Sequence, residues 1–293
     1  MIHGFFKGVT RVGAAIAIGF ASLSAAAGDA ESLRGRHAEL RDQLANNIFK
    51  RPITIDSTQT GDNLKGDVYA VLDHPFSLLS GKLKDPDNWC EILILPFNTK
   101  YCHAMDGTAL NVRIGRKFDQ PIQDAYKLQF DYRNVAATAE YFESRMAAKE
   151  GPLGTKDYRI TVSAVPLDDK RTFMHLSYAY GVGFAGKVAM QAYLSTAGAD
   201  KVGFSVTGRD ASGQPVYMGG VRGAVERNAM RYYLAIDSYL DSLSAPASQQ
   251  VDRRIQGWFN ATERYPRQLR EMDRPTYVAM KRNEVERQQN VIQ

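Results

Sequence analysis

Gly181, Gly183 and Gly186 stand in the G-x-G-x-x-G spacing that can cradle a pyrophosphate, between an expected strand and an expected helix. A dinucleotide site needs that run at the start of a strand–helix–strand unit, with an acid closing the next strand. Asp200 precedes the strand it would have to follow, and the strands before Gly181 read as hairpins. The glycines are therefore expected to make a turn that redirects the chain. Gly203 to Gly208 encloses Ser205 at the wrong spacing for a nucleophile elbow. His37, His74, His103 and His175 are scattered, and neither His-Glu-x-x-His nor Cys-x-x-Cys occurs, so no metal site and no cofactor are expected. Cys102 and His103 are neighbours on an expected strand, where side chains alternate faces, which spoils a thiolate–imidazole pair. Asn260 and Thr262 match a glycosylation sequon by pattern, in a tail expected to be helical.

What remains is recognition chemistry. Fifteen tyrosines and thirteen phenylalanines are first of all core filler. A buried tyrosine differs from phenylalanine because its hydroxyl wants a partner and can orient a ligand's polar end. Tyr178, Tyr180, Tyr232 and Tyr233 are the candidate lining, beside Met190 and Met230, whose flexible thioethers suit an adaptable apolar wall. For each of them plain packing is the standing alternative. Arg222, Glu226 and Arg227 are candidates for meeting a charged head group, and Arg222 and Glu226 are spaced for an i,i+4 pair.

The elements that would hold these residues announce themselves by period. Tyr126, Leu128, Phe130 and Tyr132 alternate with Lys127, Gln129, Asp131 and Arg133, and Met174, Leu176, Tyr178 and Tyr180 repeat the pattern. Strands are expected over 66–73, 96–103, 109–117, 125–134, 139–148, 157–165, 171–180 and 201–207. Short connections between them imply antiparallel hairpins. A helical insert is expected at 74–93, broken around Asp85 and Pro86, and a helix at 186–195. Val221, Val225, Ala229, Tyr233, Ile236, Leu240 and Leu243 form one apolar stripe along a long helix over 220–243. Before the strands, an amphipathic helix over 31–49 is expected on the outside of the domain, with 54–66 as a polar linker. After them, 249–293 reads as one or two helices broken near Pro266 and Pro275.

With 44% hydrophobic residues, 293 residues can bury one sizeable core. The first 27 are not counted in it. Lys7 and Arg11 precede a short apolar run, and small residues follow as far as Ala27, with no acid before Asp29. That is the form of a secretory signal peptide cleaved between Ala27 and Gly28. A membrane anchor would want about 20 predominantly apolar residues, so no stable membrane insertion is expected after cleavage. Loss of Lys7 and Arg11 leaves 35 basic residues against 32 acidic ones, a net charge of +3 in place of +5. Neither that charge nor any basic block speaks for nucleic acid. Cys90 and Cys102 are an even pair, which in an oxidising compartment reads as one disulfide, two separate buried thiols being the alternative. A continuous strand would set them about 40 Å apart where a bridge needs roughly 5.5–6 Å, so bridging requires a chain reversal.

A strand at 67–72, a helical insert through Trp89, a run of antiparallel strands and a long helix over 222–236 together resemble the helix-grip fold of the START-like (SRPBCC) superfamily. The resemblance covers roughly 64–243. It implies an α+β domain, a curved antiparallel β-sheet gripping a long C-terminal helix; the flanks it leaves unexplained, 28–63 and 244–293, read from their own residues as helical N- and C-terminal extensions. It also implies an apolar hollow between sheet and helix, since members bind lipids, sterols or polyketides and some are enzymes. The expected function is an exported, periplasmic or secreted carrier of a small apolar ligand such as a lipid, sterol-like compound or fatty acid. A cyclase- or hydrolase-type enzyme using the same hollow is one alternative. The other is a structural protein gripping a partner through 249–293, with Trp258, Phe259 and Tyr265 the residues to examine.

Overall fold

Polar residues 53–60 open the sheet. The computed structural model describes residues 13–196 and 198–290; Lys7, Arg11 and the start of the expected signal peptide lie outside them. The chain begins with α1 (Gly13–Glu39), which includes the expected cleavage point, and a short α2 (Arg41–Ala45). Next comes β1 (Ile53–Thr60), where a linker was expected from residue 54 onward. The segment hid because only Ile53 and Ile55 are apolar among its inward positions; the third, Ser57, is buried by hydrogen bonding. A hairpin with Gly61 at φ +57° leads to β2 (Asn63–Leu72). The helical insert follows as α3 (Phe76–Leu83) and α4 (Pro86–Leu93). Asp85 caps α4 by accepting from the Asp87 amide, and Pro86 occupies the first turn, as the sequence predicts.

Six strands complete the sheet: β3 (Thr99–Met105), β4 (Ala109–Ile114), β5 (Tyr126–Ala137), β6 (Phe142–Glu150), β7 (Thr155–Pro166) and β8 (Thr172–Val182). The order is β1-β2-β8-β7-β6-β5-β4-β3, and every neighbouring pair is antiparallel. Register shifts in β5–β6 and β7–β8 bend the sheet. Then come α5 (Phe184–Leu194), a small hairpin of β9 (Val206–Arg209) and β10 (Pro215–Tyr217), and the long α6 (Gly220–Ser242). The strand expected over 201–207 is displaced. The Phe204 and Ser205 amides donate to Glu226, at 2.6 and 2.9 Å, so they are unavailable to a ladder.

α6 lies across β1, β2 and β8 with its apolar stripe inward, the helix-grip arrangement. Gly66 permits the contact, since a Cβ there would sit 3.2 Å from the Ala229 Cβ and 3.1 Å from the Val225 carbonyl. The other side of α6 is covered too, by α7 (Ala247–Glu263) and α8 (Pro266–Leu269), with α9 (Arg274–Gln289) packed on α7 and β3. Trp258 and Tyr277 are fully buried and Phe259 nearly so, with Trp258 edge-on to Phe97 and its indole N–H donating to the Arg231 carbonyl. Trp258, Phe259 and the partly buried Tyr265 are thus core, and do not form an exposed interface together. Cys90 and Cys102 are bridged, Cα atoms 5.1 Å apart, tying α4 to β3. On the opposite face of the sheet Ala30, Leu33, Leu40 and Leu44 pack against Val71, Val165 and Phe173, placing α1 and α2 outside as expected. Among the described residues no helix is long and apolar enough to cross a membrane.

Candidate functional site

The inner half of the grip is filled: Met230, Tyr233, Ile236 and Leu240 of α6 have essentially no exposed surface. The hollow lies at the mouth, where α6 begins. There a partly open cavity of about 340 Å³ is bounded by β7 and β8, the ends of β4 and β5, α5 and the first half of α6. That is toward the small end of the roughly 300–1,000 Å³ typical of small-molecule pockets. Ile114, Tyr126, Leu153, Ala189 and Met190 supply apolar wall, and Tyr158, Tyr178, Tyr180 and Tyr193 supply rings.

The strand tyrosines are one cluster. Tyr158 and Tyr180 stack at 5.4 Å, Tyr178 is 5.5 Å from Tyr180, and Tyr232 backs Tyr178 at 5.2 Å. Burial, and then the neighbouring rings, push the Tyr178 hydroxyl well above the ordinary phenol range. Burial does the same to Tyr180 and Tyr232. These are neutral hydroxyls at any ordinary pH.

The helix wall is cationic. Ala224, Arg227, Asn228 and Arg231 recur at i, i+3, i+4 and i+7, a second stripe on α6 beside the one that grips the sheet. Arg227 is 1% exposed and Arg231 8%. Arg227 donates through Nη2 to the Tyr193 hydroxyl at 3.2 Å, while its Nε and Nη1 have no hydrogen-bond partner. Arg231 donates through Nη2 to Glu271 at 2.5 Å, and its Nε is likewise without a partner. The same Glu271 oxygen accepts from Lys117 at 2.7 Å. A buried donor left unmatched costs about 1–3 kcal/mol, more when charged. The local field confirms the excess of positive charge. Burial alone would raise the Tyr193 hydroxyl, yet Lys117 and Arg227 hold it below the usual phenol value. Burial would raise the Glu271 carboxyl too, and Arg231 and Lys117 bring it below its usual value.

Of the nine residues the sequence singled out, Tyr178, Tyr180, Met190 and Arg227 line this cavity, and Tyr232 backs Tyr178. The other four are engaged elsewhere. Glu226 is buried against β1 and the loop before β9, accepting from the Ser57 hydroxyl at 2.6 Å and from two backbone amides. Arg222 reaches the Ser57 hydroxyl, at 3.2 Å, and its carbonyl, so the expected Arg222–Glu226 pair is replaced by a shared Ser57. Met230 is core, and Tyr233 is core beneath Arg51, whose guanidinium carbon sits 6.0 Å over its ring. Arg231, Asn228, Lys117, Tyr158 and Tyr193 escaped the sequence reading; the i, i+3, i+4, i+7 stripe was the signal for the helical ones.

Met190 also lines a second cavity of about 260 Å³ behind α5, with Leu64, Val182, Leu194 and Val221. α5 is therefore a thin wall between two hollows. Only its Gly186 is buried, Phe184 is 85% exposed, and Val188 also faces solvent. Gly183 and Gly186 lie against the Gly154 backbone, where a Cβ on Gly186 would come within 3.1 Å of the Gly154 carbonyl. The G-x-G-x-x-G run thus redirects the chain between an antiparallel strand and a helix.

The imidazole that an enzyme reading would want in the hollow is on the other face. His175 meets Asp67 at 2.7 Å and stacks on Tyr69, on the sheet side covered by α1. No carboxylate or imidazole is among the described residues lining the main cavity. His74 meets two acids: with Asp237 and Asp241 it brings three ligand-type atoms within 4.8 Å. Asp237 there is already paired with Arg51 at 2.8 Å, and His74 with Asp241 at 3.2 Å.

No family model and no curated protein matches the sequence. Solved structures do. A conserved protein from Geobacillus kaustophilus is 11% identical with a TM-score of 0.37, over 60% of this chain and 95% of that one. Norcoclaurine synthase from Thalictrum flavum is 15% identical with a TM-score of 0.34, over 50% and 90%. A START superfamily protein from Mycobacterium smegmatis is 12% identical with a TM-score of 0.31, over 46% and 92%. The helix-grip arrangement itself is read from this chain's own sheet and α6.

Proposed function

We propose that this chain is an exported carrier or sensor that takes a small, largely apolar molecule into the mouth of its grip. The observation that carries the reading is the cavity of about 340 Å³ walled by strand tyrosines, α5 and α6. Binding would draw on burial of apolar area, about 25 cal/mol per Å², with polar groups setting orientation. Export is supported by the basic-then-apolar N-terminus and by a disulfide, the bond favoured in oxidising compartments.

Mass spectrometry of organic extracts from natively purified protein tests the binding half. A co-purifying lipid, sterol-like compound or fatty acid is the expected result. Empty extracts, together with no uptake of fluorescent fatty-acid or sterol probes, end the carrier reading. Intact mass of the protein recovered from its own cell tests the export half, with a mature chain starting at Gly28 expected; a full-length cytoplasmic chain removes it.

A further inference from the structure

We propose that the molecule held at the mouth carries an anionic, oxygen-rich head, a carboxylate or a phosphate, seated against the guanidinium groups of Arg227 and Arg231. This rests on the cavity being a ligand site, and adds the chemistry of its guest. Lys117 and Arg231 converge on a single oxygen of one carboxylate, Glu271, and Arg227, one turn from Arg231 on α6, adds a further cation to the same wall. Arg227 has no acid of its own: its one bond is to the Tyr193 hydroxyl. Two like charges four residues apart on a helix repel, which burial strengthens.

The unmatched atoms are the Nε and Nη1 of Arg227 and the Nε of Arg231, all buried, on side chains that form the cavity wall. A guanidinium presents its N–H groups as a planar fork, which a carboxylate or phosphate accepts with two parallel bonds. A neutral hydroxyl or carbonyl could accept one such bond but would leave the charge uncompensated. The remaining wall, with Tyr126, Leu153, Ala189 and Met190, suits an apolar body attached to that head. Buried carboxylates elsewhere are matched from within: Asp67 by His175 and Lys65, Asp237 by Arg51, and Glu143, on the wall of the cavity under α1, by Arg145 and the Tyr141 hydroxyl.

The test compares decanoate, decyl phosphate and decanol as competitors of a fluorescent apolar probe, on the full mature protein and on Arg227→Met. At least one of the two anions should bind about tenfold or more tighter than decanol, as expected for charge-assisted hydrogen bonds. The stronger of the two identifies the source of the anionic head. In Arg227→Met that advantage over decanol should vanish while the melting temperature does not fall. Decanol equal to both anions on the wild-type protein overturns the head-group inference and leaves the carrier reading standing. Failure of all three to displace a probe that never binds removes the carrier reading itself. If Arg227→Met does not fold, Arg227→Lys decides: it keeps the charge without the fork, so anion affinity should drop severalfold, and unchanged affinity overturns the seat.

Discussion

Lys100 and Lys281 share Glu284 between α9 and the start of β3, while Arg231 and Lys117 share Glu271 at the mouth of the grip, beside Arg227. Both clusters place more cations than anions away from water. In the first, all three residues have no exposed surface. The Lys281 ammonium donates to the Pro96 and Thr99 carbonyls and to Glu284, at 2.7, 2.9 and 2.7 Å. Lys100 donates to the Phe97 carbonyl, to Glu284 and to the Met280 sulfur. An ammonium has three donors, and here each has an acceptor. The second cluster leaves guanidinium atoms without one. Burial of charge by itself therefore says little about function; whether the donors are matched from within separates a structural clasp from a receptive wall.

The largest way to break the contrast is Glu284→Ala. Removing the only acid strands two buried ammoniums, and a loss of about 3–5 kcal/mol is expected by chemical denaturation. A loss comparable to that of a surface substitution would mean the clasp is not formed as described. Arg227→Met should behave oppositely in the absence of ligand. It removes an uncompensated buried charge, so stability should hold or rise by about 1 kcal/mol or more. A clear drop in melting temperature would place Arg227 among the structural residues and weaken the distinction.

A pH series sharpens it further. Burial, with Lys100 nearby, brings the Lys281 ammonium down to about 8 from its usual 10.5. The unfolded chain then holds more protons than the folded one between those values. The contribution from Lys281 is full above 10.5 and is lost as pH falls through 8, so it makes stability rise across that window. The buried tyrosines act the other way: Tyr132, pushed up to about 12 chiefly by burial, loses its contribution as pH climbs from 10 through 12. The difference between wild-type and Lys281→Met melting temperatures should therefore shift in favour of wild type from pH 8 to 10, and a flat difference contradicts burial as the cause of the lowered ammonium. The smallest effect is expected at Arg282→Ala, since its pair with Asp252 is exposed on both sides and its removal should leave the denaturation midpoint unmoved.

Much of the frame was legible because it rests on period. β5 and β8 alternate cleanly, the α6 stripe at residues 221, 225, 229, 233, 236 and 240 grips the sheet, and Asp85–Pro86 begins α4. β1 was missed because an edge strand needs little apolar sequence when one inward residue is a serine held by a carboxylate across the core. The strand expected over 201–207 had the right alternation, but its amides are taken by Glu226. The site was half legible. Tyr178, Tyr180 and Met190 were found as inward apolar positions, while Arg231 and Lys117 were passed over because long cations in a helix and a loop normally face water.

The amino-acid order on its own determined which segments are helices and strands, which faces are apolar, and that two cysteines could meet across a reversal. Those are local matters, set by spacing within one element or one turn. Which end of α6 stays hollow, which arginines lose their water, and that α7 and α8 close the back of the helix were decided only by tertiary structure. Such facts depend on groups more than a hundred residues apart competing for the same space and the same acceptors, and no local pattern records the outcome of that competition.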